Sequence, residues 1–230
     1  MNRKTDAIII GAGVIGSAVA FELAKRGYKT LNIDKLPSSG YGSTSNSCAI
    51  VRAHYSTWDG VAMAYEGFFY WDDWANYLGV DDERGLIKYM KTGSIMFKLQ
   101  GDDHSKKSLK FFEEIGVEHE IWDLDKLKEM MPIYSHDQFD GTTRPDEDDH
   151  FFDKTGKKIE GAVYTPGSGY VSDPQLSSHN LQVATEARGG EFLFNNEINE
   201  IRQEAGKVLG VTLKGGEQID SPILVNVAGP

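Results

Sequence analysis

The stretch Thr5 to Lys35, TDAIIIGAGVIGSAVAFELAKRGYKTLNIDK, decides the fold. Ala7-Ile8-Ile9-Ile10 is a short uninterrupted apolar run, the pattern of a parallel strand covered on both faces. It passes directly into Gly11-Ala12-Gly13-Val14-Ile15-Gly16. A helical stretch follows, with Val14, Ala18, Phe21 and Leu23 among its apolar positions and Gly27 at its close. A second strand, Lys29 to Ile33, ends at Asp34. Strand, GxGxxG, helix, strand and acid at this spacing form a dinucleotide-binding fingerprint. Gly11 permits the tight turn, Gly13 lets the backbone approach a pyrophosphate, and Gly16 lets the helix lie against the strand. The N–H groups of the helix start, at Val14 and Ile15, then meet the phosphates. Asp34, about 20 residues on, would accept hydrogen bonds from ribose hydroxyls and repel a 2′-phosphate, which argues against NADP. NAD and FAD share the same ADP half, so the fingerprint leaves both open.

Composition sets the limits around that core. A chain of 230 residues with 40 % hydrophobic content buries a real core, as one large domain or one domain with an insertion. The net charge of −11 supplies no basic footprint for nucleic acid or an anionic membrane, and neither is expected as a partner. The run Asp146-Glu147-Asp148-Asp149 reads as a solvated loop. The basic start of the N-terminus meets an apolar run broken at once by Gly11, Gly13 and Gly16, so it lacks the continuous apolar region of a signal peptide. No run approaches the roughly 20 apolar residues of a membrane-spanning helix. A soluble chain is expected. The single cysteine, Cys48, forms no internal disulfide and fits a reducing cytoplasm. It reads as a small buried residue, with no basic neighbour to lower its pKa.

After Asp34-Lys35 the sequence opens into a long polar loop, Leu36 to Ala49, in place of the next alternating strand and helix of a nicotinamide domain. Its hydroxyls and backbone donors, Ser43, Thr44 and Ser45 among them, suit phosphate and ribitol oxygens.

The fingerprint, Asp34-Lys35, GSTSNSCAIVRAHY (42–55), GSGYVSDP (167–174), NNEINEI (195–201) and the closing ILVNVAGP (223–230) together carry a resemblance. The chain resembles the FAD-dependent amine and amino-acid oxidoreductases of the D-amino-acid oxidase superfamily, in the sarcosine oxidase and dimethylglycine dehydrogenase branch. The resemblance implies an α/β fold: a Rossmann-like FAD-binding domain with a β-meander and an inserted α+β portion of a substrate domain. The expected segments are 1–88 and 171–230 for the FAD-binding domain and 89–170 for the substrate domain. It implies that ILVNVAG returns to the Rossmann sheet, with Ala228 and Gly229 close to the flavin and Ile198 against adenine. It also implies a C-terminal half beyond Pro230, so that the chain is a piece of a longer or split enzyme; a natural two-layer protein ending in a strand is the alternative. Arg52 stands where sarcosine-oxidase-like enzymes bind the substrate carboxylate, and a guanidinium fork suits that geometry. His54 is the second catalytic candidate, with a satisfied structural histidine as its other reading. Dimethylglycine-dehydrogenase-like members carry a flavin-linking histidine where this chain has Asn46, so dissociable FAD is expected. His104, His119, His136, His150 and His179 show no metal-ligand spacing, and no metal is proposed.

Between these motifs, residues 58–78 read as one helix whose Met63, Phe69, Trp71, Trp74 and Leu78 pack in the core. A strand at 91–99, a helix closed by Gly116, a helix capped by Asp123 with Met130 and Met131 in the core, and a helix entered at Asp173-Pro174 follow. Residues 191–228 read as four strand-like pieces forming a meander plus the returning strand, with turns at Gly206 and Gly215-Gly216. The resulting expectation is an FAD-dependent oxidoreductase that oxidises the C–N bond of a small amino or N-methylamino acid by hydride transfer to flavin, with oxygen or an electron carrier as acceptor. An NAD-dependent dehydrogenase is one alternative. A non-catalytic FAD-binding subunit or piece of a split enzyme is the other.

Overall fold

The computed structural model describes residues 3–101, 103–139, 146 and 152–229, with His104 described by its backbone only. Three residues of the acidic run (147–149), His150 and Pro230 lie outside the described residues. In chain order the elements begin with β1 (Arg3–Lys4), β2 (Ala7–Ile10), α1 (Val14–Lys25), β3 (Thr30–Ile33), β4 (Ile50–Val51), α2 (Trp58–Asp72) and α3 (Trp74–Leu78). Next come β5 (Tyr89–Met90), β6 (Ser94–Leu99), α4 (His104–Ile115), β7 (Glu120–Asp123), α5 (Leu124–Met130), β8 (Asp137–Phe139) and β9 (Lys154–Thr165). The chain continues with β10 (Gly169–Val171), α6 (Pro174–Glu186), β11 (Glu191–Leu193), β12 (Ile198–Glu204), β13 (Lys207–Leu213), β14 (Gln218–Asp220) and β15 (Ile223–Asn226). Contacts divide it into two units, Met1–Ile50 with Tyr70–Tyr89 and Val171–Pro230, and Val51–Phe69 with Met90–Tyr170.

The first unit is built on an all-parallel sheet in the order β11-β3-β2-β15. Because side chains alternate across a strand, the apolar run 7–10 serves two layers at once. Ala7 and Ile9 face α1, against Ala20, Val19 and Leu23. Ile8 and Ile10 join Leu31 and Ile33 against Val211, Leu213 and Ile219 of the antiparallel strands β12-β13-β14. The helix α6 lies beside α1 and is entered as its sequence requires: the Asp173 carboxylate accepts the Leu176 N–H at 2.9 Å, and Pro174 fills the first turn, where a missing N–H costs nothing.

Two details of the strand region differ from expectation. Residues 191–193 join the parallel sheet beside β3 rather than the meander, Glu191 opposite Leu31. The segment 217–228 breaks at Ser221-Pro222, where proline has no N–H for a ladder and the Ser221 hydroxyl accepts the Ile223 N–H at 3.3 Å instead. Its second half is the returning strand, parallel to β2 from Ile223 opposite Ala7 to Asn226 opposite Ile10.

The second unit is an antiparallel sheet, β6-β9-β7, with β8 also on β9. Trp122, Leu127, Ile159 and Ala162 form one apolar cluster, and Ala53, Val61, Phe68, Phe112, Val117 and Val163 another. The Asp123 carboxylate caps α5 by accepting the Lys126 N–H at 2.8 Å, and α4 ends on Gly116 at φ +83°, a left-handed position that glycine takes without strain.

The single helix expected over 58–78 is two helices, broken at Asp73. Trp74 and Leu78 are buried as expected, but Met63 and Phe69 are 75 % and 61 % exposed, because Val61 and Phe68 occupy the buried face of α2. Met130 is likewise exposed while Met131 packs against the Trp122 cluster. Cys48 is exposed and not buried, since the loop that carries it closes through its glycines and hydroxyls and leaves the thiol outside. No helix among the described residues is long and apolar enough to cross a membrane.

Candidate dinucleotide site

In the first unit the carboxyl ends of β2, β3 and β15 meet the start of α1. The chain leaves β2 for β3 on one side and returns as β15 on the other, so the strand order reverses at β2, the place where open α/β sheets bind ligands. Gly11 stands at that point with φ +103°, and a Cβ there would lie 2.6 Å from the Val227 carbonyl oxygen and 2.9 Å from the Ala228 Cα. Only a residue without a side chain lets the returning strand come so close. Gly16 is fixed by a different contact, a Cβ there falling 2.0 Å from the Gly11 carbonyl oxygen. Gly13 is neither strained nor crowded by backbone: its φ is −68°, and a Cβ would meet only the Thr44 hydroxyl at 3.2 Å. A side chain at Gly13 would press on that hydroxyl alone, the same one that accepts the Val14 N–H, while no backbone stands in its way.

Backbone donors converge on the same place. The Ala12 N–H is taken by Asp34 Oδ2 at 2.7 Å, and the Leu36 N–H by Asp34 Oδ1 at 2.9 Å. Gly13 is the N-cap of α1 and has no side chain to accept, so the Thr44 hydroxyl accepts the Val14 N–H at 3.0 Å from the neighbouring loop. The N–H groups of Gly13, Ile15 and Gly16 have no acceptor among the described residues. Orphan donors at a helix start, with the positive end of its dipole, make an anion site. Beside them Ile15 is 64 % exposed, apolar surface next to the donors.

The polar loop 36–49 is more ordered than its composition implies. The Gly40 N–H donates to the Ala12 carbonyl at 2.8 Å, which ties the loop to the fingerprint turn. The Ser45 hydroxyl lies 2.9 Å from the Tyr41 carbonyl oxygen and 3.0 Å from that of Gly42, and Asn46 Nδ2 donates to the same Gly42 oxygen at 3.0 Å. Ser43 and Lys35 are exposed. Ile198 packs, partly buried, against the Ile8 and Leu31 cluster. Ala228 and Gly229 are exposed at the end of the returning strand. Gly11, Gly13, Val14, Ile15, Gly16, Asp34, Thr44 and Ala228 are thus brought to one end of one sheet.

Arg52 and His54 belong to the second unit. The Arg52 guanidinium is exposed, lies 6.0 Å from the Tyr55 ring centroid, and pairs with no carboxylate among the described residues. His54 is buried, with Nε2 2.8 Å from the Thr165 hydroxyl and its ring stacked on Phe112 at 5.5 Å. That is the arrangement of a satisfied structural histidine. Sequence reasoning missed Asn32, whose amide reaches the fingerprint turn from beneath; its signal is a polar residue breaking the apolar strand Thr30–Ile33. Among the described residues no three His, Cys, Asp or Glu side chains gather to hold a metal ion.

The family model for FAD dependent oxidoreductases matches residues 6–230. The chain is 28 % identical over 223 residues to the glycine oxidase of Geobacillus kaustophilus, covering 92 % of this chain and 52 % of that protein. It is 23 % identical to the monomeric sarcosine oxidase of a Bacillus species, covering 97 % of this chain and 51 % of the other. The crystal structure of L-proline dehydrogenase from P. horikoshii superposes with a TM-score of 0.77 at 21 % identity, over 100 % of this chain and 54 % of that one. The chain spans about half the length of the relatives it matches. An ADP-bearing cofactor fits the residues present, through the free donors and the acid at Asp34, and on the match across nearly its whole length the chain belongs to the FAD-dependent oxidoreductase family.

Proposed function

We propose that this chain holds FAD without a covalent bond, and that the protein it forms oxidises the C–N bond of a small amino or N-methylamino acid. The observation that carries the reading is the set of unpaired N–H groups at Gly13, Ile15 and Gly16, at the switch point of a parallel sheet. Those donors hold the pyrophosphate, and Asp34 accepts from ribose with the lone pairs left by Ala12 and Leu36. Lys35, Ser43, Thr44 and Ser45 flank the phosphates and ribitol. Ile198 lies against adenine, and Ala228 and Gly229 pass the ring system. Residues 1–88 and 171–230 are the FAD-binding segments, except that Val51–Phe69 groups with Met90–Tyr170, and 89–170 belongs to the substrate domain. Asn46, an amide already bonded to Gly42, offers no imidazole for a flavin linkage.

Bound FAD supplies the hydride-accepting chemistry, and the protein supplies binding and orientation. Arg52, exposed and without a carboxylate partner among the described residues, is the group we assign to the substrate carboxylate. His54 is committed to Thr165 and Phe112 and serves the framework. Oxygen or an electron carrier takes the electrons, in a reducing cytoplasm. FAD-dependent family membership sets aside the NAD-dependent dehydrogenase. A second reading, an FAD-binding piece whose partner carries the catalytic groups, draws support from the half-length coverage of the relatives.

Anaerobic mixing of the FAD-loaded protein with sarcosine, glycine and methylamine tests the main reading. Bleaching of the flavin by the two acids but not by the amine is expected, with the discrimination lost in Arg52→Met. Equal bleaching by methylamine, or none by any N-methylated amino acid, contradicts it.

A further inference from the structure

Along β3 the odd residues Leu31 and Ile33 face the meander, while Thr30 and Asn32 face the other way, towards α1. Asn32 is 1 % exposed. Its Nδ2 donates to the carbonyl oxygens of Gly11 at 3.3 Å and Gly16 at 3.1 Å, while its Oδ1 is buried with no partner among the described residues. Two carbonyl acceptors fix which end of the amide faces the turn. A buried amide with an unsatisfied oxygen is a poorer strand residue than valine, both for the orphan acceptor and for β-propensity. What it supplies is a donor where an apolar side chain has none.

The donor falls at a decisive peptide. The Gly11 carbonyl sits in the notch left by the missing Cβ of Gly16, away from water, and no N–H of the α1 start reaches it. The other end of the same peptide is the Ala12 N–H, which Asp34 Oδ2 accepts at 2.7 Å. The plane joining Gly11 to Ala12 is therefore held at its oxygen by Asn32 and at its nitrogen by Asp34, two side chains from one strand end. We infer that Asn32 is a positioning residue for the dinucleotide turn: it fixes that peptide plane and so aims the free N–H groups of Gly13 and Ile15 at the bound phosphates, without touching the cofactor. The inference rests on the FAD-site reading above and adds a residue to it.

The test compares wild type, Asn32→Val and Asn32→Thr, the last keeping one donor. The readouts are FAD dissociation constant, melting midpoint of the cofactor-free chain, and amide hydrogen exchange across residues 11–16. Asn32→Val is expected to weaken FAD binding about five- to tenfold, the equivalent of one lost hydrogen bond. The midpoint falls by a few degrees at most, because the buried Gly11 carbonyl loses its donor while the orphan Oδ1 goes with it, exchange quickens at residues 11–16 alone, and Asn32→Thr recovers part of the affinity. Unchanged affinity and exchange in Asn32→Val overturns the inference. So does a midpoint that falls in step with affinity while exchange rises across the whole sheet, the signature of a framework residue. If wild type takes up no FAD, the FAD reading fails by itself, and exchange at residues 11–16 still decides for or against Asn32.

Discussion

Replacing Asp34 by asparagine separates its framework role from its role towards a cofactor. The carboxylate uses both oxygens on backbone donors, Oδ2 on Ala12 at 2.7 Å and Oδ1 on Leu36 at 2.9 Å. Asparagine keeps one oxygen and turns an NH2 towards the other N–H, so one hydrogen bond is lost and one donor is left facing a donor. Hydrogen bonds to charged groups contribute about 1.5–3 kcal/mol each, and the site is only half-buried, so the change costs about 2 kcal/mol. For a chain of this size about 1 kcal/mol corresponds to roughly 2–4 °C in melting midpoint, which gives a fall of roughly 4–8 °C. The assay is thermal unfolding of the cofactor-free chain, followed by FAD titration at a temperature where both proteins are folded. A midpoint within about 1 °C of wild type, with FAD affinity reduced, would show Asp34 acting on the cofactor alone and refute the clamp.

Three further outcomes are expected. Gly16→Ala places a methyl 2.0 Å from the Gly11 oxygen and forces the turn off α1, so FAD binding is lost and stability falls by about 1–3 kcal/mol in a denaturant titration. Burial holds the His179 imidazole below its ordinary value, against the opposing pull of Asp82. The folded state therefore takes up its proton later than the unfolded chain does; stability from this group is fully present above pH 6.5 and declines on acidification below it, and His179→Gln flattens that part of the stability curve against pH. Cys48, being exposed, reacts stoichiometrically with a thiol reagent in the native chain, whereas protection until unfolding would contradict its placement.

The parts legible in the sequence were those with local causes. A β-strand feeding GxGxxG, an aspartate before a helix at 123 and 173, and a left-handed glycine at 116 each act within a few residues, and each stands where the pattern placed it. The returning strand was legible through resemblance, and its pairing with β2 gives Gly11 its reason. What escaped was decided at long range. Residues 191–193 look the same in sequence whether they pair with β3 or with the meander, and the structure pairs them with β3. The aromatic residues of 58–78 suit one continuous helix until Asp73 interrupts it and only one face finds a partner. Asn32 looked like a blemish in an apolar strand because the carbonyls it serves are 16 and 21 residues away in sequence.

The most direct test of the central claim, that these residues form a non-covalent FAD site, is a visible spectrum of the purified chain after incubation with FAD and removal of excess, repeated on the supernatant after acid precipitation. The account predicts a flavin spectrum on the native chain that passes into the supernatant. A chain that stays colourless after exposure to FAD contradicts the site, and colour that remains with the pellet contradicts the dissociable cofactor.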